Sequence, residues 1–120
     1  VLTSSGTGAM ECAVVNAVAR GGKAIVLESG KFSERWRRLC EAFAIRVVRI
    51  DAPWGEAFTP EQVEQALAEH PDAQAVFTTL SESSTGVGHD IDAACGQLAG
   101  RVENRVTRRL GERAMRIVSR

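Results

Sequence analysis

Lys23-Ala24-Ile25-Val26-Leu27, followed at once by Glu28-Ser29-Gly30-Lys31-Phe32, is the stretch that decides the architecture. Its apolar run is continuous rather than alternating, as expected of a strand covered on both faces, and the Ser-Gly that follows ends it. Residues 46–50 (RVVRI) and 75–79 (AVFTT) repeat the pattern, and residues 1–3 look like the end of a fourth strand. Helical periodicity fills the gaps. A first helix over about 8–18 places Met10, Val14 and Val18 on one stripe and is expected to close at Gly21-Gly22 with a left-handed cap. A second over about 33–43 places Trp36, Leu39, Cys40 and Phe43 on one face. The third starts with Thr59 as N-cap, Pro60 at N1 and Gln62 at N3, after which Val63, Ala66 and Leu67 form its apolar stripe. Strand and helix alternating at this spacing imply right-handed crossovers and an α/β fold with a largely parallel sheet. Such a sheet binds its ligand at the carboxyl ends of the strands.

The 120 residues suit one domain, and with four Phe, two Trp and no Tyr its core must be mainly aliphatic. Fifteen basic and fifteen acidic residues cancel, but unevenly. Residues 1–100 carry 8 Lys/Arg and 13 Asp/Glu, a charge of −5, and residues 101–120 carry 7 Arg and 2 Glu, a charge of +5. Such a split marks an end with a role of its own or one foreign to the body. The start, Val1-Leu2-Thr3, has no Met and is expected of an internal piece. No apolar run approaches the roughly 20 residues that span a bilayer, and no basic-then-apolar leader is present. These features lead to the expectation of a cytoplasmic protein without membrane contact. Cys12, Cys40 and Cys95 show no metal-type spacing and read as buried thiols rather than disulfide or metal ligands.

Two loops at the carboxyl edge are rich in Ser, Thr and Gly. Ser4-Ser5-Gly6-Thr7-Gly8 lies between a strand end and a helix start, where free N–H groups and a partial positive charge suit a phosphate. The loop lacks the third glycine of a dinucleotide fingerprint, with Glu11 in that place, and there is no Gly-Lys-Ser/Thr for a nucleotide-binding loop of the Walker type. By itself it fits an empty glycine-rich cap equally well. Ser81-Glu82-Ser83-Ser84-Thr85-Gly86 reads either as a hydroxyl-bearing site or as a satisfied turn. Phe32 could stack on a flat ring or staple the following helix. His70 reads as a partner of a helix C-terminus and His89 as an exposed residue before an N-cap. No catalytic residue follows from spacing.

Taken in order, Thr3-Ser4-Ser5-Gly6-Thr7-Gly8-Ala9-Met10-Glu11, Gly30-Lys31-Phe32-Ser33-Glu34-Arg35-Trp36, Trp54-Gly55-Glu56 and Glu82-Ser83-Ser84-Thr85-Gly86-Val87 resemble the class V aminotransferases that use pyridoxal 5'-phosphate, in particular the alanine-glyoxylate, serine-glyoxylate and serine-pyruvate branch. The resemblance implies that residues 1–98 form part of the parallel-sheet large domain of a fold-type I enzyme. It implies that the amides of Ser5, Gly6 and Thr7 hold the cofactor phosphate, that Phe32 stacks on the pyridine ring, and that the Ser83 hydroxyl bonds the phenolic oxygen. The activity implied is transfer of an amino group between a small amino acid of the alanine or serine type and a 2-oxo acid such as glyoxylate or pyruvate, by a homodimer.

The resemblance ends near Gly100. In the family a strand with an aspartate for the pyridinium nitrogen follows, then the lysine that forms the Schiff base. Here Arg101-Val102-Glu103-Asn104-Arg105-Val106-Thr107-Arg108-Arg109 stands instead, and Lys23 and Lys31 are the only lysines. The expectation is a fragment that cradles the cofactor and is inactive alone. Residues 99–120 form an Arg-rich segment whose Val102, Val106, Leu110 and Ala114 recur at helical spacing. Read functionally, this segment is a basic helix for an acidic partner, which would make the chain a non-catalytic α/β binding module. Read structurally, it is a truncated or frame-shifted terminus. Nucleic acid is not expected, since no aromatic or motif supports the arginines.

Overall fold

A computed structural model describes residues 5–89. They run in the order α1 (Gly6–Ala17), β1 (Lys23–Glu28), α2 (Lys31–Ala42), β2 (Arg46–Asp51), α3 (Pro60–Glu69), β3 (Ala75–Phe77), β4 (Ser81–Glu82) and β5 (Val87–Gly88). The expected strand at 1–3, Cys95 and the Arg-rich helix all lie outside these residues.

Strands β2, β1 and β3 form a parallel sheet in that order, with Lys23 opposite Arg46, Glu28 opposite Asp51 and Val26 opposite Phe77. The chain leaves β1 for one neighbour and reaches β3 on the other side. Two right-handed crossovers running in opposite directions put α2 and α3 on opposite faces of the sheet. The side chains agree. Ala24 and Val26 join Val14, Val18, Cys40, Ile45 and Phe77 in one buried cluster, against which Trp36, Leu39 and Phe43 pack. Trp36 stacks on Phe77 at 5.0 Å between ring centres, an attraction worth about 1 kcal/mol beyond its buried area. Ile25 and Leu27 alternate to the other face and are also buried, as are Val63 and Ala66 of α3, which stand apart from that cluster. Burying a side chain such as Ile25 contributes roughly 2 kcal/mol.

The sheet is α/β and parallel as expected, but only β1 is covered on both faces. Strand β2 has no fully buried residue, being the edge of the described sheet, and exposes Arg46, Arg49 and Asp51. Strand β3 ends at Phe77, before Thr78 and Thr79, because the chain turns there into a hairpin. Helix α1 stops at Ala17 with Val18 as an extended C-cap. Gly21, left-handed at φ 78°, is therefore not its cap; it sits in the turn into β1 and donates its N–H to Ala44 O at 2.9 Å.

Helix α3 begins as the sequence implies, Thr59 Oγ1 accepting from the Gln62 amide at 3.4 Å and Gln62 Oε1 from the Thr59 amide at 2.9 Å. Cys40 is buried, and burial, with the Glu41 charge second, pushes its thiol up to about 11. Cys12 is exposed, against expectation, because it lies on the outer side of α1 from Val14. Among the described residues no helix is long and apolar enough to cross a membrane.

Candidate functional site

The N-terminus of α1 is capped by Ser5, whose backbone is extended and whose Oγ accepts the Gly8 amide at 3.4 Å. The first intrahelical bond runs from the Ala9 N–H to Ser5 O at 3.1 Å. The amides of Gly6 and Thr7 precede it, so they have no partner within the helix and carry the positive end of its dipole. Among the described residues, nothing lies within 4 Å of where a Cβ on Gly6 would stand. Arg35 of α2 adds a full charge, donating from Nη1 to Thr7 Oγ1 at 2.9 Å, while its Cζ lies 5.4 Å from the centre of the Phe32 ring.

The N-terminus of α2 has a different solution. Its N-cap is Gly30, which has no side chain, and the capping group comes from the hairpin after β3. The Glu82 carboxylate, fully buried, accepts the Ser33 amide at 2.8 Å, the Phe32 amide at 3.1 Å, Ser33 Oγ at 2.9 Å and Ser84 Oγ at 2.5 Å. Ser84 Oγ in turn accepts the Lys31 amide at 2.9 Å. Burial raises the carboxyl's pKa, but the bonds from Ser84, the Ser33 and Phe32 amides and the Ser33 hydroxyl outweigh it and hold it down at about 2. Glu82 is therefore a buried anion satisfied by a helix start, worth roughly 3 kcal/mol relative to its ordinary value of 4.5.

Two glycines make this approach possible. A Cβ on Gly30 would lie 2.5 Å from Ser84 Oγ and 2.6 Å from the Glu82 side chain. Gly86, at φ 73°, closes the hairpin by donating to Glu82 O at 2.9 Å. Ser83 stands exposed between the two residues that grip α2. The side chain of Thr79, just before the hairpin, has a buried Oγ1 with no hydrogen-bond partner among the described residues.

His89 is buried, not exposed. Its Nδ1 accepts the Phe58 amide at 3.3 Å, which assigns the ring proton to Nε2, and Nε2 donates to Ser29 Oγ at 2.8 Å. Burial lowers its pKa, with the Glu82 charge acting weakly the other way. The neutral ring thus ties the end of β1 to the segment before α3. His70 is the C-cap of α3, where its amide bonds Ala66 O.

Of the residues singled out in the sequence, Thr7 and Phe32 are brought together through Arg35, and Ser83 is held against the Phe32 turn through Glu82 and Ser84. Phe32 is 41% exposed, with Arg35 over its ring. Flat ring face, exposed hydroxyl and free amides are the donor set that a phosphorylated aromatic ring needs, and in that sense the residues fit pyridoxal phosphate. Lys23 sits at the opposite, amino end of β1, paired with Asp72 at 2.6 Å, and Lys31 pairs with Glu34 at 2.8 Å. Sequence reasoning did not single out Glu82 or Arg35. The signal for Arg35 was its i+3 spacing from Phe32; Glu82 had none, because its partners on α2 lie about fifty positions away.

No family model matches the chain. The serine-glyoxylate aminotransferase of Hyphomicrobium methylovorum is 38% identical over 93 residues, 76% of this chain and 23% of that protein. The small subunit of the soluble hydrogenase of Synechococcus sp. (strain PCC 6716) is 40% identical over 95 residues, 78% of this chain and 25% of that protein. The crystal structure of the alanine-glyoxylate aminotransferase from Nostoc sp. superposes with a TM-score of 0.71 at 29% identity, covering 80% of this chain and 26% of the other. The chain thus spans about a quarter of the length of the relatives it matches. Four motifs in register, a parallel sheet and the sequence matches agree: over about three quarters of its length the chain is homologous to class V pyridoxal phosphate-dependent aminotransferases such as the alanine- and serine-glyoxylate enzymes.

Proposed function

We propose that residues 1–98 form the cofactor-cradling part of an aminotransferase large domain, with 99–120 a separate Arg-rich segment. In this reading the amides of Ser5, Gly6 and Thr7 take the phosphate, Phe32 stacks on the pyridine ring and the Ser83 hydroxyl bonds its phenolic oxygen. The observation that carries it is the joining of these places by two devices, Arg35 between Thr7 and Phe32 and Glu82 between the Phe32 turn and the Ser83 hairpin.

When bound, the cofactor supplies an electrophilic carbon and a ring that delocalises charge. The chain's own residues bind and orient. The α1 start would hold the phosphate with the amides of Ser5, Gly6 and Thr7 and the helix dipole, and the Arg35 guanidinium at Thr7 would add to that field. Phe32 fixes the plane of the ring, and its rigidity comes from a turn whose amides are all engaged. The whole protein would move an amino group between a small amino acid and glyoxylate or pyruvate as a cytoplasmic homodimer. The 120 residues alone would not catalyse the transfer, because neither lysine is placed for it.

Calorimetric titration of the chain with pyridoxamine phosphate, pyridoxamine and inorganic phosphate tests the reading. The amine form is chosen because it lacks the aldehyde that would react with Lys23 or Lys31. Pyridoxamine phosphate should bind at least about tenfold tighter than either half, as expected when one hydrogen-bonded and one stacked part act together. Equal affinity for pyridoxamine phosphate and phosphate would remove the ring site.

A further inference from the structure

We infer that Glu82 is a positioning residue of this site, setting Phe32 and Ser83 in one geometry through its hold on the start of α2. The inference rests on the cofactor reading above. A helix start needs only a local cap, and Thr59 shows this chain making one from the next turn. At α2 the cap position is a glycine, and the capping charge arrives from a hairpin some fifty residues on, carrying Ser83 with it. The carboxylate's acceptors are taken by the Phe32 amide, the Ser33 amide and hydroxyl, and the Ser84 hydroxyl. Ser84 also receives the Lys31 amide. Three successive amides of the turn bearing Phe32 are thus bound to the two residues that flank Ser83.

A rotation of that turn would move the Phe32 ring and break the bonds to the hairpin together, so ring and hydroxyl shift as a pair or not at all. The Gly6 and Thr7 amides belong to α1, and no bond of Glu82 reaches α1 among the described residues. Glu82 therefore acts on binding of the ring and not on binding of the phosphate.

Glu82→Gln replaces one acceptor oxygen with a donor facing the Phe32 and Ser33 amides, and Ser84→Ala removes one of the bonds with less risk to folding. For the 120-residue chain, hydrogen exchange at the Phe32 and Ser33 amides and affinities for pyridoxamine phosphate and inorganic phosphate are measured together. Glu82→Gln should speed exchange at both amides and lower pyridoxamine phosphate affinity about tenfold, the loss expected for a charged hydrogen bond, with phosphate affinity unchanged. Ser84→Ala should show the same pattern at smaller size. In a Phe32→Ala background the tenfold loss should shrink to under about threefold, because the residue acted upon is gone. Equal losses for both ligands, equal losses in both backgrounds, or faster exchange with affinity retained would each overturn the inference. A wild-type chain with protected amides but no preference for pyridoxamine phosphate over phosphate would instead overturn the cofactor reading, and the positioning role with it.

Discussion

Helices α2 and α3 differ in how the amides of their first turn are satisfied. The start of α3 is closed by its own residues, Thr59 and Gln62 exchanging bonds across one turn, and it serves only the helix. The start of α2 keeps one local bond, Ser33 Oγ accepting the Gly30 amide at 2.9 Å, but its Lys31, Phe32 and Ser33 amides are closed by Ser84 and Glu82 from a distant hairpin. A local cap makes a helix stable wherever it lies, whereas a distant cap also fixes what the helix start faces. In the proposed cofactor reading, the difference separates a start that is scaffold from one that is part of the site.

The largest expected effect follows from removing the distant cap. Glu82→Ala leaves the Phe32 and Ser33 amides and the Ser84 hydroxyl without the carboxylate that accepts them and should lower unfolding free energy by about 3 kcal/mol in urea titration. A loss below about 1 kcal/mol would reduce α2 to an ordinary start.

The same contrast has a pH signature. Glu82 binds its proton more weakly folded than unfolded, so its contribution is complete above 4.5 and is lost as pH falls from there toward about 2. Wild type should lose up to roughly 3 kcal/mol through that window by virtue of this group, and Glu82→Gln should show a flatter acid limb. His89, lowered by burial, adds a separate loss that begins as pH falls below its ordinary 6.5, since the unfolded chain takes up the proton first. A limb unchanged in Glu82→Gln would deny the buried anion.

Gly30→Ala should cost about 2 kcal/mol, because the added methyl meets Ser84 Oγ and the Glu82 side chain at 2.5 and 2.6 Å. Thr59→Ala, the local counterpart, should cost only about 1 kcal/mol and leave ligand binding intact. If Thr59→Ala weakened pyridoxamine phosphate as strongly as Gly30→Ala does, the separation of scaffold from site would fail.

The legible half of the molecule is the local half. Strand β1, the α3 capping box and the apolar faces through Val14, Trp36 and Cys40 follow from periodicity and caps, each encoded within a turn or two. The places of Ser5, Gly6 and Thr7 could be read as a helix start for the same reason. The exposure along β2 depends on which strand is central, which no local pattern states. Glu82 looked like one polar residue in a polar turn, and His89 like a surface residue beside Asp90. Both are buried because partners far along the chain, Ser33 and Ser29, satisfy their polar atoms. Charged and polar side chains are buried only when paired, and such pairings are made through space.

Amide chemical-shift mapping of the 15N-labelled chain with pyridoxamine phosphate tests the central claim most directly, since it reports every helix start at once. The amides of Gly6 and Thr7 at α1, and of Phe32 and Ser83 at the α2 start and its hairpin, should shift together and saturate at one concentration, while Thr59 and Gln62 stay still. Shifts scattered over Lys23, Arg46 and the α3 start, with Phe32 and Ser83 unmoved, would contradict the account.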